Sequence, residues 1–192
     1  FTNFRTGAPY ASIITSLGCP FNCIYCHKLH KGKMRMRSAE NVLNEIRLLN
    51  KEYGVREFVF VDDMFNFNRE RMMTILRGIK EMDEPMKLSF ATGLRGDMLD
   101  AEAVKAFVEA GTYYAMIPIE TPFERLQKLI KKNLNVQKTI ESLSMFSDAG
   151  VITSSFIILG LPTQTKQEML DTLKFAEEAN LDYPFFPTAL PL

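Results

Sequence analysis

Six short apolar runs, at residues 10–15, 57–61, 87–91, 113–119, 153–159 and 183–188, alternate with stretches whose apolar residues recur every three or four positions. Most of the runs are nearly continuous in Val, Ile, Phe and Leu, the composition of strands buried on both faces. The intervening stretches each carry one apolar helix face: Val42, Ile46 and Leu49, then Met73, Leu76 and Ile79, then Val104, Phe107 and Val108. Ile140, Leu143 and Phe146 continue the series, and Met169, Leu173 and Ala176 end it. Ser38, Asn68 and Asp100 stand at N-cap positions, and Thr165 with Glu168 three residues on forms a capping box. Gly54, Gly111 and Gly150 fall where these helices should stop. Such alternation dictates parallel strands joined by right-handed crossovers.

Length then selects among α/β architectures. A closed eight-stranded barrel takes about 250 residues, and this chain has 192. The pattern predicts an α/β fold, a partial (β/α)6 TIM-like barrel of parallel strands with outer helices, in which no helix follows the sixth strand. A doubly wound open sheet is the competing arrangement. No linker interrupts residues 1–192, which read as one core domain. Because the chain begins at Phe1 and ends on Pro191-Leu192 directly after an apolar run, it is expected to be a fragment of a longer protein. Flanking domains would then cover the open edge of the sixth strand. With 46% hydrophobic and 24% charged residues the composition excludes a disordered or collagen-like chain. Basic and acidic side chains balance at 23 each, so nothing global attracts nucleic acid or an anionic surface. No run reaches the ~18 apolar residues of a membrane span, and no signal peptide is legible, so a cytoplasmic location without a membrane partner is expected.

Parallel sheets of this class bind ligands at the C-terminal ends of their strands. After the first run comes a loop of about twenty residues, from Leu17 to Arg37, a length rarely kept without a function. It holds all three cysteines, Cys19, Cys23 and Cys26. Their odd number and tight intervals rule out a disulfide framework and point to metal or redox chemistry. Soft thiolates select zinc, copper(I) or iron–sulfur clusters. A structural zinc ion is closed by four protein ligands, so His27 or His30 would have to complete the set. A four-iron cluster on three cysteines would instead keep one iron open. Lys28, Lys31, Lys33, Arg35 and Arg37 follow without an acid, either as a solvated face or as a positive potential that lowers thiolate pKa. The second run ends in Asp62 and Asp63, which alternation sends to different sides. The fourth ends in Glu120, a carboxylate that is costly there without a partner. In the segment closing the fifth run, Gly160 permits close backbone approach to a ligand.

Cys19-x3-Cys23-x2-Cys26, with the aromatic Tyr25 before the last cysteine and the whole motif after the first strand of a βα series, resembles the radical S-adenosylmethionine (SAM) superfamily. The resemblance implies that the three cysteines bind three irons of a 4Fe-4S cluster. The fourth iron would chelate the amino and carboxylate groups of SAM, and Tyr25 would pack beside the adenine. Where most members carry a Gly-Gly-Glu-like motif for the SAM amino group, this chain has Val61-Asp62-Asp63-x-Phe65. That is similar to the subgroup that often carries a cobalamin-binding domain N-terminal to the barrel, and one of Asp62 and Asp63 would take the amino-group role. Pro118, Glu120 and Thr121 replace the family's Gly-x-Glu-Ser, which implies that Glu120 meets the methionyl or ribosyl part of SAM. Ile158 and Gly160 are kept from a Gly-x-Ile-x-Gly-x-x-Glu region and imply adenine contacts, while Phe156 and Thr163 replace its outer Gly and Glu. Arg95 matches a basic position common in the subgroup. Leu17 replaces the Arg that usually precedes Gly-Cys-Pro there.

The activity so implied is that of an oxidoreductase or transferase. A reduced cluster cleaves SAM to a 5′-deoxyadenosyl radical, for substrate hydrogen abstraction or for cobalamin-dependent radical methyl transfer. Cys19, Cys23 and Cys26 would be its catalytic and metal-binding residues. The partners implied are an unidentified substrate and a one-electron reductant such as flavodoxin or ferredoxin; nucleic acid is not expected. The alternative from another class is a non-catalytic zinc- or iron–sulfur-binding module within a larger assembly.

Overall fold

The computed structural model describes residues 6, 7, 9–27 and 33–189. In chain order its elements begin with strands β1 (Tyr10–Ile13), β2 (Ser16–Leu17) and β3 (Arg35–Met36), helix α1 (Ala39–Tyr53) and strand β4 (Glu57–Phe60). Helix α2 (Arg69–Lys80), β5 (Lys87–Phe90), α3 (Ala101–Glu109) and β6 (Thr112–Met116) follow. Two helices, α4 (Glu124–Leu129) and α5 (Val136–Asp148), precede β7 (Ile152–Phe156), and α6 (Lys166–Glu178) leads to β8 (Tyr183–Phe185). Single 3-10 turns at Phe65–Phe67 and Gly96–Met98 sit after β4 and β5.

All six predicted strands form, and they lie in one parallel sheet of order β1-β4-β5-β6-β7-β8. The order never reverses, as it must in a doubly wound sheet, so the competing arrangement is set aside and the partial barrel stands. The helices form for the local reasons read in the sequence. Ser38, Asn68 and Asp100 accept the backbone N–H three residues on, and both halves of the Thr165–Glu168 capping box are made. Gly54 caps α1, while Gly111 and Gly150 follow one residue after the caps of α3 and α5.

Between the sheet and the helices runs a phenylalanine ladder. Phe60 stacks on Phe90 at 4.6 Å, and Phe107 meets Phe90 edge-on at 4.8 Å. Both are favoured aromatic geometries, and each buried ring adds a large apolar area to the core. Ile13, Phe58, Leu88, Ala115 and Ile117 share this buried layer.

Three features depart from the sequence reading. The apolar runs overrun the strands at their C-terminal ends, where pairing thins to the isolated bridges Glu120↔Ile157 and Leu159↔Thr188. The long loop after β1 is closed at its base by the antiparallel pair β2–β3, Ser16 opposite Met36 and Leu17 opposite Arg35. Two residues per strand are too few for alternation to show. The six-residue α4 escaped for the same reason, since its length covers under two turns.

Candidate functional site

The strand ends gather around the cysteine loop, and each predicted residue there can be placed except His30, Lys28 and Lys31, which lie outside the described residues. The loop is tied down at four points. Gly18 N–H donates to Asp63 Oδ2 at 2.7 Å, and Ile24 N–H to the Ile130 carbonyl at 3.0 Å. The Phe21 ring lies under the Arg95 guanidinium, 4.1 Å from it, and edge-on to Phe67 at 6.4 Å. Tyr25 donates its hydroxyl to Glu120 Oε1 at 3.1 Å.

So held, the three free thiols feel one another. The thiol of Cys26 hydrogen-bonds Cys23 and lowers the Cys23 pKa to about 6; burial opposes this, while Tyr25, Lys132 and Arg95 assist. The same hydrogen bond, followed by burial, drives Cys26 far upward. Burial raises Cys19, with the charges of Cys23 and Asp63 adding to it. His27, exposed, is turned away from a closed four-ligand zinc site. Three soft sulfurs on one loop suit an iron–sulfur cluster, and the hydrogen bond from Cys26, assisted by Tyr25 and the buried cations, biases Cys23 to thiolate.

Asp62 and Asp63 divide as alternation requires, and only one of them has capacity to spare. Asp62, 1% exposed, accepts from Thr15 N–H at 3.1 Å, Thr15 Oγ1 at 2.7 Å and Ser16 Oγ at 2.5 Å. It welds the end of β4 to the end of β1. Asp63 is exposed beside Gly18, one residue from the first cysteine.

Glu120 is buried and has the partner its position demands. Lys132, which the sequence reading missed, donates to Glu120 Oε1 at 2.9 Å and to the Pro118 carbonyl at 2.8 Å. Glu120 also adopts a left-handed backbone, with φ of 69°, strain of the kind that concentrates at functional sites. Burial and the neighbouring Glu120 charge keep the Tyr25 phenol protonated far above its usual range. The ring of Tyr25 packs on a small apolar cluster of Leu126, Ile130, Ile158 and Leu161. Tyr25 and Ile158, placed together by the adenine expectation, therefore do share one patch. Gly160 lies exposed just beyond it with φ of 77°, and a Cβ there would meet only Thr188, at 3.8 Å. Glu168, kept out of the site in the sequence reading, is held by its capping box and by Arg125.

Of the five basic residues after Cys26, Lys28 and Lys31 lie outside the described residues. Arg37 turns to the Ile14 carbonyl, Asn41 and Glu45, and Lys33 and Arg35 are exposed. The cations acting on Cys23 are Lys132 and Arg95. No run of basic residues signals them: Arg95 follows β5, and Lys132 follows α4.

Comparison with known proteins places this arrangement. The profile of the Radical SAM superfamily matches residues 13–176. An uncharacterized methyltransferase of Pyrococcus horikoshii is 33% identical over 187 residues, 96% of this chain and 40% of that protein. The cytidylyl-2-hydroxyethylphosphonate methyltransferase of Streptomyces wedmorensis is 29% identical over 198 residues, 98% of this chain and 37% of that one. The chain thus spans about two-fifths of the length of these relatives. In fold it matches the radical SAM methyltransferase TsrM of Kitasatospora setae with a TM-score of 0.85 at 18% identity, over 96% of this chain and 36% of that one. That protein has been solved with tryptophan substrate and a SAM analog, and with cobalamin and a 4Fe-4S cluster.

Proposed function

The chain belongs to the radical SAM superfamily, and we propose that it is the catalytic core of a methyltransferase in which Cys19, Cys23 and Cys26 hold the 4Fe-4S cluster. The observation that carries this reading is the trio of cysteines on one loop at the C-terminal end of the sheet, Cys23 and Cys26 hydrogen-bonded to each other and the neighbouring His27 exposed. When bound, the cluster supplies one electron that splits SAM into methionine and a 5′-deoxyadenosyl radical. The protein's part is placement and exclusion of water.

Among the candidate residues, Asp63 takes the SAM amino group. It is exposed at the cysteine loop and a carboxylate accepts strongly from an ammonium, whereas the acceptor capacity of Asp62 is spent on Thr15 and Ser16. Glu120 meets the methionyl or ribosyl part, its orientation fixed by Lys132 and Tyr25 through Oε1. Tyr25 and Ile158 offer the adenine a shared apolar surface, and Gly160, exposed beside it, puts no side chain in the way. Methyl transfer is favoured over simple hydrogen abstraction by the two methyltransferases among the relatives, and cobalamin by the ligands of the structural neighbour. A cobalamin domain, the substrate-closing segment and the docking site for a flavodoxin- or ferredoxin-like reductant would then belong to sequence outside these 192 residues. Such chemistry calls for a reducing, oxygen-poor compartment, in keeping with a cytoplasmic location.

The test is to incubate the anaerobically reconstituted, reduced protein with SAM and assay 5′-deoxyadenosine, with Cys23→Ala as control. The expected result is a brown protein that forms 5′-deoxyadenosine and a variant that does not. Equal yields from both, or a colourless protein holding one zinc, overturn the reading.

A further inference from the structure

Arg95, at the end of β5, is 8% exposed and engaged at every face. Its Nε and Nη2 grip the two carboxylate oxygens of Asp97 at 2.8 and 3.1 Å. Nη1 donates to the Lys132 carbonyl at 3.0 Å, and Nη2 also to the Asn133 carbonyl at 3.1 Å. Its backbone is fixed as well, by a reciprocal pair of hydrogen bonds with the Asn66 side chain. The flat side left over lies on Phe21, midway between Cys19 and Cys23 in the chain.

Followed outward, these contacts close into a ring. Phe21 rests on Arg95; Arg95 holds the backbone of Lys132; the Lys132 ammonium holds Glu120; Glu120 accepts from Tyr25, which returns to the cysteine loop. The 130–135 segment in this ring is not one the backbone adopts unaided. Lys131 and Asn133 both sit in the left-handed region, with φ of 55° and 48°, a conformation that disfavours a residue with a Cβ. The Arg95 donors on the carbonyls of residues 132 and 133, with Asp97 accepting from Asn135 N–H at 2.9 Å, hold the segment there.

We propose that Arg95 is the positioning residue of the cluster loop: clamped by Asp97 and the 132–133 carbonyls, it seats Phe21 and so fixes the three thiols against the Lys132–Glu120–Tyr25 side of the rim. Stacked on the residue between two of the cysteines, and acting electrostatically on Cys19 and Cys23, the buried guanidinium would place a fixed positive charge on the cluster's side of the rim, which favours the more negative, reduced state. Lysine at the same position would keep that charge and lose both the fork and the stacking plane. The inference rests on the cysteines holding a 4Fe-4S cluster.

The test uses the reconstituted wild type with Phe21→Leu, Arg95→Lys and Arg95→Met. Three quantities are read: the rate of iron loss to a ferrous chelator, the cluster midpoint potential, and far-UV circular dichroism as the folding control. A cation–π contact of this kind converts to an acceleration of iron loss by about twofold to thirtyfold when it is removed. Phe21→Leu should show that acceleration with the potential nearly unchanged. Arg95→Lys should release iron at least as fast, with the potential near wild type. Arg95→Met should release iron fast and also shift the potential downward, which loss of a purely structural contact would not do. If Arg95→Met fails to fold, Phe21→Leu and Arg95→Lys still decide. Iron loss at the wild-type rate in Phe21→Leu, or an Arg95→Met potential equal to wild type, overturns the assignment. A wild type that takes up no iron overturns the reading of the cysteines instead, so the two failures are distinct.

Discussion

The pair Lys132–Glu120 offers the sharpest test of how the rim is built. Both side chains are under 10% exposed and 2.9 Å apart. Replacing Lys132 with Met leaves the Glu120 carboxylate buried with the Tyr25 hydroxyl as its remaining donor. Removing one partner of a buried pair costs about 3–5 kcal/mol, because the orphaned charge stays out of water. In a domain of this size each kcal/mol moves the melting midpoint by about 2–4 °C, so Lys132→Met should melt about 6–20 °C lower. Neutralising the partner too should undo most of the damage. The double variant Lys132→Met/Glu120→Gln is expected within about 2 kcal/mol of wild type, since an ion pair exchanged for neutral groups is often close to neutral in stability. Urea unfolding of the metal-free protein, followed by far-UV circular dichroism, measures both. A Lys132→Met loss under about 1 kcal/mol would mean that the pair behaves as a solvated surface pair. A double variant no better than the single one would assign the effect to packing of the lysine stem rather than to its charge.

Three further outcomes follow from the same geometry. In the metal-free protein the Cys23–Cys26 pair should give up its first proton near pH 6, one thiolate appearing as pH rises through that value, and the second only far above the usual thiol range. Ultraviolet thiolate absorbance reads this, and no thiolate below pH 8 would refute it. Asp62→Ala removes the acceptor of three donors on Thr15 and Ser16 and should destabilise the fold by about 1–3 kcal/mol for each, while Asp63→Ala frees only Gly18 N–H and should cost less in urea unfolding but weaken SAM binding; the reverse pattern would exchange their roles. Gly111→Ala should cost far more than Gly160→Ala. Both glycines have positive φ, but a Cβ at Gly111 would lie 2.0 Å from the Met86 carbonyl oxygen, whereas at Gly160 its nearest neighbour is Thr188 at 3.8 Å. Left-handed strain alone is about 1–2 kcal/mol, so equal losses of stability would contradict the difference in crowding.

The sheet was legible because buried parallel strands write themselves as unbroken apolar runs, and the helices because Ser38, Asn68, Asp100 and Thr165 announce their starts. The cysteines were legible because their chemistry is carried by spacing within eight residues. What stayed hidden were interactions between distant positions. Nothing around Lys132 distinguishes it from Lys131 beside it; only the left-handed turn after α4 sends one inward to Glu120 and leaves the other exposed. Asp62 and Asp63 looked equivalent for a related reason. Alternation said that they part, but not that Thr15 and Ser16 would be waiting on one side.

The same separation between sequence neighbours and spatial neighbours governs the electrostatics of the thiols. A run of basic residues after Cys26 suggested a local positive potential; of its described members, Lys33 and Arg35 face solvent and Arg37 is engaged with Asn41 and Glu45. Charges in water are screened beyond about 8–10 Å at physiological salt, while buried ones are screened much less. Arg95 and Lys132, each 8% exposed, act on Cys23 from inside the rim. The main bias on Cys23 is its hydrogen bond from Cys26, and the two cations add to it from fixed positions: Arg95 is locked by Asp97 and two carbonyls, and Lys132 by Glu120 and Pro118. Drawing cations from the segments after β5 and α4 ties the electronic environment of the sulfurs to the same contacts that fix the geometry of the site.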